Sequence, residues 1–264
     1  MKALVLAAGK GERLRPLTET IPKPMLELGN KPLIHYPLLM LKRAGITQVA
    51  INVHHLAERI QTGLGTGRSL GLEITYAPET VLLGTGGPLL GLRGFFGSEP
   101  FVVANADTVM DLDLSAMIDF HRARGALATF VVTRPANMSA YSHLEIDHDG
   151  RLRRMRLLTA REGGFEDFPA DPPTDVLEPY MFCGLYICEP QVYEMMPPAP
   201  PFSSMKGLFA PMVARGMPLL GYVLRGLFRT VDDLATYENL KREFAAEDRT
   251  HPSPIRGQGE TGKK

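Results

Sequence analysis

Residues 7–16 read AAGKGERLRP. Gly9 and Gly11 let a backbone turn approach a ligand with no Cβ in the way. The N–H groups of such a turn form a nest for an anion. Arg13 and Arg15 add guanidinium forks suited to phosphate oxygens. Lys23, flanked by Pro22 and Pro24, adds a held ammonium. The spacing is neither GxxxxGK[ST] nor GxGxxG, so on the glycines alone the stretch reads equally well as a plain turn.

Two further stretches carry chemistry. PFVVANAD (100–107) ends on Asp107, with Asp111 and Asp113 following. An aspartate just past a buried strand can hold Mg²⁺ through oxygen and leave the ion free to bridge phosphates; it can also simply turn the chain. GTGGP (84–88), preceded by Glu79, is a second glycine loop. It could pack against a flat base or sugar, or serve as a helix entry.

The elements that must position these residues alternate. Lys2–Leu6 is a short apolar run, as expected of a buried parallel strand. The pattern predicts strands over 49–53, 72–77, 100–107 and 126–133. It predicts helices over 32–45, 56–64, 86–96 and 114–125, with Gly45 and Gly125 as C-terminal caps and a kink at Pro37. Strands alternating with helices make a mostly parallel sheet covered on both faces, a Rossmann-like α/β fold. Ligands of such sheets bind outside the strand C-termini, where the loops after Leu6 and Ala104 both lie. The second half reads as a hairpin over 143–158 turning at Asp149-Gly150, an acidic, proline-rich loop over 164–179, strands over 181–189 and 217–226, and a helix over 232–247.

Composition narrows the function classes. The 264 residues carry 29 Lys+Arg against 29 Asp+Glu, a formal net charge of +0. That excludes the basic footprint of a nucleic-acid partner and any global pull toward anionic membranes. No apolar run approaches the roughly 20 residues of a membrane helix. Cys183 and Cys188 form no metal constellation, and five positions apart on one strand they point to opposite faces. That suits a reducing, cytoplasmic setting.

Taken together, LVLAAGKGERLRPLTETIPKPMLELGNKPLI, LGTGGPL, ANADTV and CGLYI resemble the motifs of the sugar-phosphate nucleotidyltransferases (NDP-sugar pyrophosphorylases), in particular the mannose-1-phosphate guanylyltransferase-like members. The resemblance spans about residues 1–240 and is strongest over 1–107. It implies the nucleotide-diphospho-sugar transferase type of fold in one domain, 1–247. Residues 1–133 would be its nucleotide-binding part, 134–231 its sugar-phosphate part and 232–247 its closing helix; the tail over 248–264, with no aromatic and little apolar content, is itself expected to be disordered. It implies Mg²⁺-dependent transfer of a nucleotidyl group from a nucleoside triphosphate to a sugar 1-phosphate, releasing pyrophosphate.

Roles follow from the same resemblance. Ala7, Ala8, Gly9 and Gly11 would hold nucleotide. Arg13 would stabilise the departing pyrophosphate and Lys23 the α-phosphate. Glu79, Gly84 and Thr85 would border base or ribose, Asp107 would bind Mg²⁺, and Tyr141, Ser142, Glu145 and Gly184 would lie near the sugar phosphate. Guanylyl transfer to mannose 1-phosphate is the first expectation. Uridylyl transfer to glucose 1-phosphate or N-acetylmuramate 1-phosphate comes next, and the oligomeric state stays open.

The chain departs from the family pattern twice. Where the family carries a second metal-binding aspartate, the alignment puts Thr230, with Asp232 and Asp233 just beyond. Asp232 is then either a displaced second ligand or, the blander expectation, the N-cap of the last helix with Asp233 in its first turn. The family's later E-K-P lysine is also absent. Arg154 or Arg156 could replace it, or both could lie on an exposed hairpin. These departures motivate two alternatives: a nucleotide-sugar-binding regulatory subunit without turnover, or transfer to a non-sugar phosphate. His54 and His55 are expected to serve loop packing, His121, Arg122 and Arg124 a solvated helix face, and Met195 and Met196 the core.

Overall fold

In the computed structural model, which describes residues 1–135, 137–159, 164–169 and 176–250 (the last five without side chains), β1 (Lys2–Leu6) is buried on both faces. That burial explains its unbroken apolar run. The chain then passes through three 3₁₀ turns (Glu12–Leu14, Leu17–Glu19, Lys23–Met25) to the small hairpin β2 (Glu27–Leu28) and β3 (Lys31–Pro32) and to α1 (His35–Arg43). Next come β4 (Gln48–Val53), α2 (Ala57–Leu64) and β5 (Glu73–Pro78), then the short α3 (Gly87–Gly91) and α4 (Arg93–Phe96). They are followed by β6 (Phe101–Asn105), β7 (Thr108–Met110), α5 (Leu114–Arg124) and β8 (Ala128–Thr133). The second half adds β9 (His143–Ile146), β10 (Leu152–Leu158), β11 (Phe165–Phe168), β12 (Glu178–Cys188), α6 (Ala210–Ala214), β13 (Leu219–Val223), β14 (Phe228–Thr230) and α7 (Leu234–Thr250).

Seven strands lie side by side in the order β5-β4-β1-β6-β12-β8-β13, and only β12 runs against the others. The mostly parallel sheet expected from the alternation is therefore present. β9, β10 and β11 continue it from the N-terminal part of β12 as an antiparallel extension. One face is covered by α1, α2 and α5 through Leu38, Leu41, Ile60 and Met117. The other is covered by α3, α4 and α6 through Leu89, Phe96 and Met212. Cys183 and Cys188 fall in these two opposite layers. Burial pushes the Cys183 thiol up to about 12 and raises that of Cys188 as well. A third apolar cluster joins Leu14, Leu26, Leu28 and Leu33 to Tyr237 and Leu240 of α7. Tyr237 Oη donates to the carbonyl of Glu27 at 2.9 Å, so the closing helix clamps the segment that carries Arg13 and Lys23.

Several local expectations need correction. The helix expected over 32–45 starts at His35, after β3 has used Pro32. Pro37 thus sits in the first turn, where an N–H has no intrahelical partner, and no kink is needed. The helix expected over 86–96 is two short ones. The stretch read as loop over 164–179 contains β11, paired with β10, and the start of β12; residues 170–175 lie outside the described ones. His121 is not on a solvated face. It is 1% exposed, with Nδ1 bonded to Thr129 Oγ1 at 2.8 Å and Nε2 at 3.3 Å from Glu189 Oε1. Met195 and Met196 are half-buried against the second layer. The tail expected over 248–264 begins inside α7 and otherwise lies outside the described residues.

Candidate active site

The loop leaving β1 is held from behind. Ala7 N donates to Asn52 Oδ1 at the end of β4, at 2.8 Å. Thr18 Oγ1 donates to the carbonyl of Gly11 at 2.9 Å, and His55 Nε2 meets the carbonyl of Thr18 at 2.7 Å. Gly11 has φ +64°, and an added Cβ would stand 2.9 Å from Thr18 Cγ2 and 3.2 Å from Lys23 Cβ. The fold itself requires this glycine. Gly9 is different: a Cβ there would meet no protein atom within 4 Å, although the residue lines a cavity.

That cavity, about 600 Å³, runs from Ala7, Ala8, Gly9 and Gly11 past Lys23 to Glu79, Gly84 and Thr85. The 83–86 loop at its far end is docked on the segment before α6. Gly86 N donates to the carbonyl of Phe202 at 3.0 Å, and Ser204 N donates to Thr85 Oγ1 at 2.9 Å. Gly84 has φ +77° and lies against the Phe202 backbone, so no side chain fits there. A second cavity of about 410 Å³ opens between β12 and the β9–β10 pair, lined among others by Tyr141, Ser142 and Gly184. Gly184, φ +81°, sits at an irregularity of β12; a Cβ would come within 2.9 Å of Asn105 Nδ2. The two cavities share Arg13, Asn105, Asp107 and Asp232.

This shared wall is densely charged. Lys23 Nζ pairs with Asp107 Oδ2, the two side chains being 15% and 24% exposed. Arg13 Nη2 stands 3.7 Å from Asp232 Oδ1 and is largely exposed. Val231 N donates to the carbonyl of Asp107 at 3.2 Å, and β14 pairs with β7; both bonds draw the end of β14 to Asp107. Burial raises the Asp232 carboxyl above its ordinary range; the Asp107 charge adds to this, while Lys23 and Arg13 oppose it.

The blander expectation for Asp232 is therefore corrected. Asp233, not Asp232, caps α7: its Oδ1 accepts from Thr236 N at 2.8 Å. Asp232 is left facing the junction, and Thr230 lines the second cavity beside it. Among the described residues no group of three or more His, Cys, Asp or Glu forms a metal cluster; Asp107 and Asp232 are a carboxylate pair.

Not every expected residue arrives here. Arg15 points out and pairs with Glu12 at 3.9 Å. Asp113 caps α5 by accepting from Ala116 N, and Asp111 lies with it on a separate groove. Glu145 is absent from the second cavity. Its neighbour Leu144 lines that wall, and strand alternation turns Glu145 to the other face, beside Arg154. Arg154 and Arg156 are not solvated hairpin residues, since both pair with Asp167 on β11. His54 and His55 do bind loop carbonyls, as expected. Sequence reasoning missed Asn52, Thr18, Asn105 and Ser204. For Asn52 a signal was present, a lone amide inside an otherwise apolar strand.

Comparisons with known proteins bear on the family and the fold. A family model described as nucleotidyl transferase matches residues 2–227. A UTP–glucose-1-phosphate uridylyltransferase of Synechocystis sp. is 35% identical over 245 residues, covering 88% of this chain and 60% of that protein. A mannose-1-phosphate guanylyltransferase of Mycobacterium tuberculosis is 32% identical over 244 residues, covering 92% and 63%. The chain thus spans about three-fifths of the length of the curated relatives it matches. A solved structure from Bacillus anthracis, provisionally named a glucose-1-phosphate thymidylyltransferase, superposes with a TM-score of 0.74 at 20% identity. It covers 97% of this chain and 98% of that one, and shares its fold. The motifs, the sheet and the family match coincide, and the chain belongs to the nucleotidyl transferase family.

Proposed function

We propose that the protein transfers a nucleotidyl group from a nucleoside triphosphate to a sugar 1-phosphate, releasing pyrophosphate. The observation that carries this reading is the meeting of two cavities, one glycine-lined and one bordered by Tyr141, Ser142 and Gly184, at Arg13, Asp107 and Asp232. In the reaction an oxygen of the sugar phosphate forms a bond to the α-phosphorus, and the bond from that phosphorus to the bridging oxygen breaks. No covalent enzyme intermediate is needed, so catalysis rests on alignment and on neutralising charge. Backbone N–H groups around Gly9 bind phosphate oxygens. Lys23, half-enclosed at the junction, stabilises charge on the α-phosphate. Arg13, exposed and only loosely paired, is free to follow the departing pyrophosphate.

The donor set fits Mg²⁺. Asp107 and Asp232 offer hard oxygen ligands on the wall that the two cavities share, and a cation shared between one or two carboxylates and phosphates needs no more. The unfavourable environment of the Asp232 carboxylate also favours a cation beside it. When bound, the ion supplies further neutralisation of the phosphate oxygens.

Guanylyl transfer to mannose 1-phosphate stands first, and uridylyl transfer to glucose 1-phosphate or N-acetylmuramate 1-phosphate second; relatives of both kinds support the pair. Two buried, unbridged thiols are consistent with a cytoplasmic setting. The test is pyrophosphate release from each nucleoside triphosphate with Mg²⁺ and a panel of sugar 1-phosphates. Turnover with one pair supports the reading. Nucleotide-sugar binding without turnover on any pair overturns it in favour of a regulatory subunit.

A further inference from the structure

The 83–86 loop of the first cavity is clasped by a segment that leads into the wall of the second. Phe202 N donates to the carbonyl of Leu83 at 3.1 Å, and Gly86 N donates to the carbonyl of Phe202 at 3.0 Å. Thr85 Oγ1 accepts from Ser204 N at 2.9 Å and meets Ser204 Oγ at 3.0 Å. Ser204 is 3% exposed. Phe202 also fills the space that side chains would need on the loop. A Cβ on Gly86 would overlap ring atom Cε2 and stand 2.5 Å from Cδ2, and one on Gly84 would overlap the Phe202 carbonyl oxygen. Gly86 has φ −102° in the right-handed helical region, which any residue adopts. Close approach of the ring, not backbone conformation, therefore demands this glycine. One residue beyond Ser204, Met205 lines the second cavity. It stands in the π-helical turn Ser204–Phe209, which Leu208 and Phe209, both 0% exposed, anchor in the core. Phe202, Ser204 and Gly86 themselves line neither cavity.

We propose that Phe202 is a positioning residue that locks the 83–86 loop to the wall of the second cavity, and so fixes the offset between the two molecules that react. The proposal rests on the nucleotidyl-transfer reading and adds to it the part that sets alignment. The loop follows β5 and the wall follows β12, so the sheet alone does not tie one to the other. Transfer between two bound molecules needs the reacting atoms about 3–3.5 Å apart, and a misplacement of about 1 Å can cost about 100-fold in rate. The clasp supplies the missing reference. Its backbone bonds set the spacing between loop and wall, and the ring, closed against Gly86 without a gap, resists sliding. Loosening it leaves each cavity its own binding groups and lets their offset drift. The loss should then fall on the rate of the fully bound complex, not on the binding of either substrate.

Contact between ring and glycine makes the test a cycle. Gly86→Ala, Phe202→Ala and the double variant are compared with the wild type at fixed Mg²⁺, using the nucleoside triphosphate and sugar 1-phosphate that the wild type turns over best. The readouts are KM for each substrate and the single-turnover rate at saturation, scaled to the nucleotide-binding sites counted by titration so that unfolded protein drops out. In Gly86→Ala the new methyl group pushes the ring off the loop; in Phe202→Ala the ring is gone. Each should lower the rate about tenfold or more, with KM for both substrates within about threefold of wild type. In the double variant the methyl group enters space that the ring has left. Its rate should be no lower than that of the slower single variant, instead of showing the product of the two losses. Wild-type rates in both single variants, a loss carried by KM at unchanged rate, or multiplied losses in the double variant would each overturn the proposal. If Phe202→Ala fails to fold, Phe202→Leu, which lacks the overlapping ring atom, takes its place in the same cycle. A wild type that turned over no pair would instead overturn the nucleotidyl-transfer reading itself.

Discussion

Gly9 and Gly11 lie two residues apart in one loop, yet they answer to different causes, and alanine at each separates them. At Gly11 alanine must adopt φ +64° and press its Cβ to 2.9 Å from Thr18 Cγ2. The left-handed backbone costs about 1–2 kcal/mol for a residue with a Cβ, and overpacking adds about 1–3 kcal/mol. A loss of roughly 2–5 kcal/mol is expected, at about 2–4 °C of Tm per kcal/mol for a chain of this size. At Gly9 the added Cβ meets no protein atom within 4 Å. Stability should therefore hold, or rise by up to about 1 kcal/mol through the stiffer unfolded chain. The methyl group instead occupies space over backbone that phosphate oxygens approach. Losing one hydrogen bond to a charged group costs about 1.5–3 kcal/mol, roughly 10- to 150-fold in Kd. Thermal melts and nucleoside triphosphate titrations on both variants provide the readout. A Gly9→Ala protein that binds triphosphate as tightly as wild type would refute the claim that ligand approaches this backbone. One that melts far below wild type would refute the claim that the residue is free of the fold.

The adjacent aspartates should also separate. Asp233→Ala loses the α7 cap and about 1 kcal/mol of stability while keeping turnover. Asp232→Asn relieves a carboxylate that burial and Asp107 disfavour, so its melt is unchanged or higher and its turnover falls by orders of magnitude; a second variant with normal activity would remove Asp232 from the metal reading. His121 governs an acid limb. Burial lowers its pKa from the ordinary 6.5, against the opposing effect of Glu189. The unfolded chain therefore takes up a proton that the folded chain refuses. Its contribution to stability is complete above about pH 6.5 and is lost as pH falls below it, with a slope of at most about 1.4 kcal/mol per pH unit. His121→Gln should flatten that limb in denaturant melts from pH 7 to 5.5; an unchanged slope would show that another group sets it.

What could be read from the chain and what could not follows from how far each constraint reaches. The glycine loop and the proline-held lysine lie within one stretch, and their residue types are demanded locally by φ, by close approach and by charge. The parallel sheet was legible for a similar reason, because strands buried on both faces must be apolar throughout. Glu145 and Asp232 show the limit. Each was placed by position in a motif, and each was decided by a phase of one residue: strand alternation turned Glu145 away from the second cavity, and a helix beginning at Leu234 gave the cap to Asp233. At Asp232 local pattern carries no information at that resolution, since its neighbour Asp233 is equally polar; at Glu145, set between Leu144 and Ile146, the alternation itself was in the chain and the motif position overrode it.

The hydrogen bonds that join Asn52 to Ala7 and to Glu79 were hidden for a different reason. They bridge sequence separations of 45 and 27 residues, and no propensity or spacing rule links such positions. The sequence could still have raised the question. A strand buried on both faces has no use for an amide unless a polar group waits for it, because an unsatisfied buried amide costs about 1–3 kcal/mol. An asparagine inside VAINV therefore implies partners before any are seen. The first of them is a backbone N–H of the loop after β1, and the other is the carboxylate that holds the loop at the opposite end of the cavity. A polar residue that breaks an apolar strand near its C-terminal end, where sheets of this class bind ligands, is thus evidence of a site even when it matches no motif.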